Sequence, residues 1–144
     1  MQTLIDYAKT FLGLPYIWGG DDFEGYDCSG LVQEILSSVG MDPAGDQTAH
    51  DLFLHFDKHF MDHDARWHRR AGSLAFYGSH DKISHVAFMI DRHRVIESAG
   101  GGHKTLTARE AATDNAFCRI RPLEHRRDLV KTIYPQYPDY LFYR

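Results

Sequence analysis

The spacing of the apolar residues changes once along this chain, near Gly72, and that change restricts the possible folds more than any other feature. Before it, apolar side chains recur at helical intervals, which predicts three helices, over residues 3–12, 28–39 and about 47–60. After it, short apolar or alternating runs predict antiparallel strands over residues 73–77, 85–90, 94–99 and 117–123. Helices followed by strands predict an α+β domain, in which N-terminal helices pack on one side of an antiparallel β-sheet.

Two further elements are predicted by weaker patterns. Residues 107–112 favour a helical turn between strands, and the last fifteen residues, which contain Pro135 and Pro138, favour a closing strand. The loop at 16–27 is rich in Gly and Asp and carries no periodic pattern.

The composition agrees with one globular domain spanning residues 1–144. The net charge is −4 and no block of Lys or Arg occurs, so we expect no nucleic-acid partner. No apolar run approaches the ~20 residues of a membrane span. The N-terminus, M-Q-T-L-I-D-Y-A-K, lacks the basic start and apolar stretch of a signal peptide. We therefore expect a protein made in the cytoplasm without a cleaved signal.

Cys28 stands in D-C-S-G, where a predicted loop becomes a predicted helix. Unpaired N–H groups and a partial positive charge at a helix start favour the thiolate, which is the nucleophilic form. The same N–H groups can hydrogen-bond the oxyanion that forms when a thiolate attacks a carbonyl. The alternative is a buried thiol that only opens a helix. Two cysteines are too few for a disulfide framework, although the count is compatible with a single bridge. We expect both to be free thiols, with Cys118 in the core.

A candidate general base for Cys28 is His85, because a Cys on a helix and a His on a strand form a recurring thiol-peptidase arrangement. The next strand offers Glu97 as the group that orients the imidazole. If residues 91–93 form a three-residue hairpin loop, His85 and Glu97 share one face of the sheet as diagonal neighbours. A two-residue loop would bring Ser98 to that face instead. The alternative for Glu97 is an exposed strand residue.

Five motifs together resemble the NlpC/P60 peptidases, over most of residues 4–100. They are P-Y-I-W-G-G (15–20), Y-D-C-S-G-L-V (26–32), G-S-L-A-F-Y (72–77), S-H-V-A-F-M-I (84–90) and V-I-E-S-A (95–99). The resemblance implies a papain-like α+β fold and hydrolysis of peptide bonds in bacterial cell-wall peptides. Typical targets are bonds between γ-D-glutamyl and diaminopimelate or lysine, and no cofactor is implied.

The resemblance also implies roles for individual residues. Cys28 matches the nucleophile and His85 the base, and Tyr16 matches a tyrosine whose hydroxyl lines the site. Asp27 and Ser29 match residues that help to hold the free amino end of the substrate.

The third catalytic position departs from the family pattern. Where this chain has Glu97, the family more often has His, Asn or Gln. An acid can orient an imidazole equally well, but it changes the charge of the site. His103, in the following G-G-G-H loop, is a competitor for the role.

A zinc hydrolase is a competing hypothesis, because His55, His59 and His63 recur at every fourth residue. On a continuous helix they would spread over ~12 Å, too far for all three to reach one ion. A metal site would therefore need two of these histidines together with Asp51 or Asp62. The better interpretation is that the three histidines lie on a solvated helix face and bind no metal.

The biological role is open to several hypotheses. One is a non-catalytic wall-binding or phage structural module, and another is a hydrolase of a different γ-glutamyl or isopeptide substrate. A small wall peptidase without a signal suits release by a phage or by a secretion system. Besides peptidoglycan peptides, the expected partners are then a phage tail component or an immunity protein.

Overall fold

The computed structural model describes residues 1–142. The N-terminal part contains α1 (Gln2–Lys9), the short strands β1 (Asp21–Asp22) and β2 (Gly25–Tyr26), α2 (Cys28–Ser37) and α3 (Ala49–Asp57). The rest contains β3 (Leu74–Ser79), β4 (Lys82–Met89), β5 (Arg94–Ala99), α4 (Ala108–Asp114), β6 (Phe117–Pro122) and β7 (Leu129–Ile133). Short 3-10 turns cover Leu123–His125 and Asp139–Phe142. The predicted α+β class is confirmed.

The strands β3 to β7 form one antiparallel sheet in the order β6-β5-β4-β3-β7. Helices α2 and α3 pack against β4, which places the start of α2 beside the central strands. Alternate residues of β4 enter two separate buried clusters. Val86 and Phe88 pack with the helices, whereas Ala87 and Met89 pack with Leu123 of the turn after β6.

Several element boundaries differ from the predicted ones. Helix α3 begins only after Thr48, whose side chain forms a capping box with Asp51, and it ends at Asp57. The short hairpin of β1 and β2 lies in the segment predicted as loop, because strands of two residues leave no periodic pattern. The closing strand is β7, which pairs with β3, and the proline-containing segment after it is irregular. Residues 143–144 of that prediction lie outside the described residues.

No helix in the described part of the chain combines the length and the apolar character that a membrane crossing needs. Cys28 and Cys118 are both free thiols, as predicted. Cys118 is buried in the core beside the helices.

Candidate active site

Cys28 is the first residue of α2, and the residues around it fix the start of that helix. The Asp27 carboxylate caps the helix: Oδ1 accepts a hydrogen bond from the Gly30 N–H at 2.7 Å and from Ser29 Oγ at 3.3 Å. Its Oδ2 accepts from the Gly19 N–H at 3.1 Å. Burial raises the pKa of Asp27, and these hydrogen bonds partly oppose the rise. The cap therefore joins the helix start to the preceding glycine-rich loop.

Gly30 has a specific steric role in this arrangement. A Cβ on Gly30 would overlap the carbonyl oxygen of Gly20 and approach Asp27 Oδ1. The group that approaches Gly30 most closely is the backbone of the loop before Cys28. The same loop accepts a hydrogen bond at Gly20 O from the Asp27 N–H at 3.2 Å.

His85 is buried on β4, and its Nε2 donates to Glu97 Oε1 at 3.0 Å. Burial opposes charging of the ring, but the hydrogen bonds and charges of Cys28 and Glu97 outweigh it and raise the pKa of His85 to about 9. Because Nε2 is bonded to Glu97, Nδ1 is the ring nitrogen left to exchange a proton with the Cys28 sulfur. At neutral pH the His85 ring is therefore an imidazolium beside the Cys28 sulfur.

The hairpin register behind this contact is the predicted one. β4 and β5 pair with Phe88 opposite Ile96 and Met89 opposite Val95. The Ile90 N–H donates to the Arg94 carbonyl at 3.0 Å, so the loop consists of residues 91–93.

The two competitors for the third position lie elsewhere. Ser98 Oγ donates to the Tyr26 carbonyl at 2.6 Å. His103 is exposed, with its ring centroid 6.4 Å from that of Trp18. Among the three candidates, Glu97 is the one that the structure brings to His85.

A second histidine contacts Glu97, and sequence reasoning missed it. His125 Nε2 donates to Glu97 Oε1 at 2.9 Å, so both imidazoles share one oxygen. Burial alone would raise the pKa of Glu97, but His85 and His125 together lower it and keep the carboxylate ionised. His125 lies outside the periodic segments and the recognised motifs, so no sequence pattern pointed to it.

Tyr16 lies at the same site, with its ring packed against Gly101. Burial, followed by the charges of Cys28 and Asp27, raises the pKa of Tyr16 well above its usual range. Its hydroxyl is therefore protonated at neutral pH and can donate a hydrogen bond. Ser29 donates to Asp27, so these two residues flank Cys28 as a bonded pair.

The histidine stripe proposed for the zinc hypothesis does not form. Helix α3 ends at Asp57, so His59 and His63 lie beyond it. The ring of His63 stacks on Trp67 with centroids 4.3 Å apart. Among residues 1–142 no three His, Cys, Asp or Glu side chains are grouped to hold a metal ion.

The raised pKa of His85 can be measured directly. In an NMR titration the ring should lose its proton near pH 9 rather than at 6.5. Because the folded-state pKa is the higher one, the protonated ring stabilises the fold fully below about pH 6.5, and that contribution is lost as the pH rises through 9. Cys28→Ser should bring the midpoint down, because the hydroxyl stays neutral. A midpoint near 6.5 in the unmodified protein would contradict the pairing of His85 with Cys28 and Glu97.

Comparisons with known proteins identify the family of this chain. A model of the NlpC/P60 family matches residues 13–122. The chain is 28% identical over 128 residues to the gamma-D-glutamyl-L-lysine dipeptidyl-peptidase of Bacillus subtilis, covering 83% of this chain and 40% of that protein. It is 35% identical over 102 residues to the Bacillus cereus protein of the same name, covering 66% and 27%. The chain thus spans less than half the length of these curated relatives.

A solved structure shares the fold. An NlpC/P60 family protein from Bacillus cereus superposes with a TM-score of 0.67 at 25% sequence identity, over 94% of this chain and 39% of that chain.

Proposed function

The chain belongs to the NlpC/P60 family, and from this premise we propose that it is a cysteine peptidase that hydrolyses a peptide bond in the stem peptides of bacterial peptidoglycan. The observation that carries the proposal is the placement of Cys28 at the start of α2 beside the buried pair His85 and Glu97. The proposed bond joins γ-D-glutamate to diaminopimelate or lysine. Two curated relatives named gamma-D-glutamyl-L-lysine dipeptidyl-peptidase support this choice of bond.

In the first half of the proposed reaction, the Cys28 sulfur attacks the carbonyl carbon as a thiolate, because His85 Nδ1 already holds the proton of the pair. A C–S bond forms, and the carbonyl oxygen becomes an oxyanion. The Cys28 backbone N–H, with the Tyr16 hydroxyl helping, donates hydrogen bonds to that oxygen. His85 then gives its proton to the leaving nitrogen, the C–N bond breaks, and a thioester acyl-enzyme remains.

In the second half, His85 takes a proton from water, and the resulting hydroxide attacks the thioester carbonyl. The C–S bond breaks and releases the carboxylic acid, while the thiolate and the imidazolium are restored as a pair. Glu97 accepts the Nε2–H of His85 throughout, because only Nδ1 exchanges protons with the reacting groups. The carboxylate therefore orients the ring and balances its positive charge.

Asp27 and Ser29 are the proposed ligands of the free amino end of the substrate. Both lie next to Cys28, and a carboxylate beside the nucleophile supplies the negative charge that an ammonium group needs. The position of this anchor would set the distance from the amino end to the bond that is cut.

Alkylation offers a test of the nucleophile that needs no substrate. Iodoacetamide should label Cys28 well before Cys118, because Cys28 is partly exposed at a helix start. Cys118 is only 3% exposed, and burial raises the pKa of its thiol to about 12. Peptide mapping by mass spectrometry after short incubations gives the order of labelling. Faster labelling of Cys118 would count against Cys28 as nucleophile.

The route by which the enzyme meets the wall stays a prediction. Release by a phage or by a secretion system remains our proposal, with a tail component or an immunity protein as the corresponding partner. Hydrolysis of a different γ-glutamyl or isopeptide substrate is the competing assignment, and product analysis separates the two.

A further inference from the structure

The turn Leu123–His125 is anchored firmly against the catalytic strands. The Tyr77 hydroxyl donates to the Leu123 carbonyl at 2.7 Å, and the Leu123 N–H donates to the His93 carbonyl at 2.7 Å. The Leu123 side chain is 2% exposed and packs in the cluster that includes Ala87 and Val95 of the central strands. These contacts fix the position of the backbone that carries His125.

From this position His125 reaches the carboxylate that orients the candidate base. The Glu97 side chain is fully buried and His125 is 14% exposed. His85 and His125 both donate to Glu97 Oε1, and Oε2 meets no donor among residues 1–142. Within the described chain, two imidazoles on one oxygen therefore supply all the hydrogen bonds that this buried carboxylate receives from side chains.

The two histidines differ in their involvement with the thiol. His85 also bonds Cys28, so its charge must change during the proposed reaction. His125 donates to Glu97 Oε1, and within residues 1–142 its ring makes no hydrogen bond to Cys28. Its hydrogen bond can therefore persist while His85 gains and loses a proton. A buried carboxylate with fewer donors takes up a proton more readily, and a neutral Glu97 would no longer balance an imidazolium.

Other titratable groups lie near Glu97, but they do not take the place of His125 as a hydrogen-bond donor. Tyr77 on β3 and Cys118 on β6 are buried, and burial raises the pKa of each, so both are neutral near pH 7. After the turn, Arg126 pairs with Asp128 at 2.8 Å and stacks over Tyr77. Arg126 acts on Glu97 through its charge and makes no hydrogen bond to it.

On β6, Arg119 lies opposite Glu97 in the strand register. Its guanidinium donates to the Asn115 carbonyl and lies over the Phe117 ring, and it makes no hydrogen bond to Glu97. His125 is thus the donor to Glu97 that is independent of the thiol.

We propose that His125 is a positioning residue of this site: by sharing Glu97 Oε1 with His85, it holds Glu97 ionised and in place to support the imidazolium. Consecutive hydrogen bonds then join Cys28 to His85, His85 to Glu97, and Glu97 to His125. The inference rests on the proposed function for its catalytic consequence, but the pairing of the first three residues can be measured without a substrate.

The test compares His125→Ala with His125→Gln, whose amide N–H can still donate to Glu97, and with His93→Ala, which changes an exposed histidine nearby. The readout is the rate of Cys28 alkylation by iodoacetamide against pH, with folding checked by circular dichroism. In His125→Ala the rise of that rate with pH should move upward by about one pH unit. His125→Gln and His93→Ala should follow the unmodified protein.

The same variants are then assayed on a stem peptide, where His125→Ala should lower kcat/KM near neutral pH by about tenfold, mainly through kcat. An unshifted alkylation profile in folded His125→Ala would overturn the proposal, even if the variant were less stable. Failure of folded His125→Gln to restore the profile would also overturn it. A shifted profile in a protein that cuts no stem peptide would support the role of His125 and refute the proposed function instead.

Discussion

Replacing Cys28 with alanine should reduce hydrolysis of a stem peptide by at least about 1,000-fold, because no other group can form the acyl-enzyme. The fold should survive, since Asp27 still caps α2 through the Gly30 N–H. The rate is measured by quantifying peptide fragments by mass spectrometry, and the fold by thermal unfolding.

Cys118→Ala is the matched control for that variant. It removes a buried thiol that lies outside the proposed reaction, so activity should remain while stability falls by about 1 kcal/mol. If Cys28→Ala digested peptides or whole cell walls as fast as the unmodified protein, a non-catalytic wall-binding module would become the better assignment.

Replacing Glu97 with glutamine should lower kcat/KM by up to about 10,000-fold, the size of the effect of the corresponding Asp→Asn change in a Ser-His-Asp triad. The amide keeps the shape of the side chain but removes the charge that balances His85. With its oxygen at the Oε1 position the amide can still accept both imidazole N–H groups, and its nitrogen would lie at the Oε2 position, which meets no donor among residues 1–142, so the variant tests the charge alone. An NMR titration should show the pKa of His85 falling from about 9.

Glu124→Gln is the matched control for Glu97→Gln. Glu124 lies in the same turn as His125, is 73% exposed, and makes only a surface ion pair with Arg69 at 3.4 Å. The activity of Glu124→Gln should stay within about twofold of that of the unmodified protein. If Glu97→Gln were equally active, a carboxylate at this position would have no role in orienting His85.

The sequence predicted the parts of the site that depend on local rules. The helix start at Cys28 follows from the loop-to-helix transition in D-C-S-G, and the structure begins α2 at that residue. A hairpin loop of three residues predicted that Glu97 lies on the same face of the sheet as His85. The pairing of Met89 with Val95 confirms that loop length. Both features involve residues that are close in sequence or joined by one hairpin.

The parts that could not be predicted depend on contacts between distant segments. His125 meets Glu97 across 28 residues of sequence because Leu123 docks against the central strands and Tyr77 bonds its carbonyl. No periodicity marks such a turn. The predicted extent of the third helix, to about residue 60, was wrong, because α3 ends at Asp57 and no periodic pattern marks that end.

The most direct test of the account is digestion of a purified stem peptide followed by mass spectrometry of the fragments. The account predicts one cleavage, between γ-D-glutamate and the following diaminopimelate or lysine, with the two products formed in equal amounts and neither formed by Cys28→Ala. Cleavage at a different bond would contradict the proposed substrate. The same two fragments from Cys28→Ala would contradict the proposed mechanism.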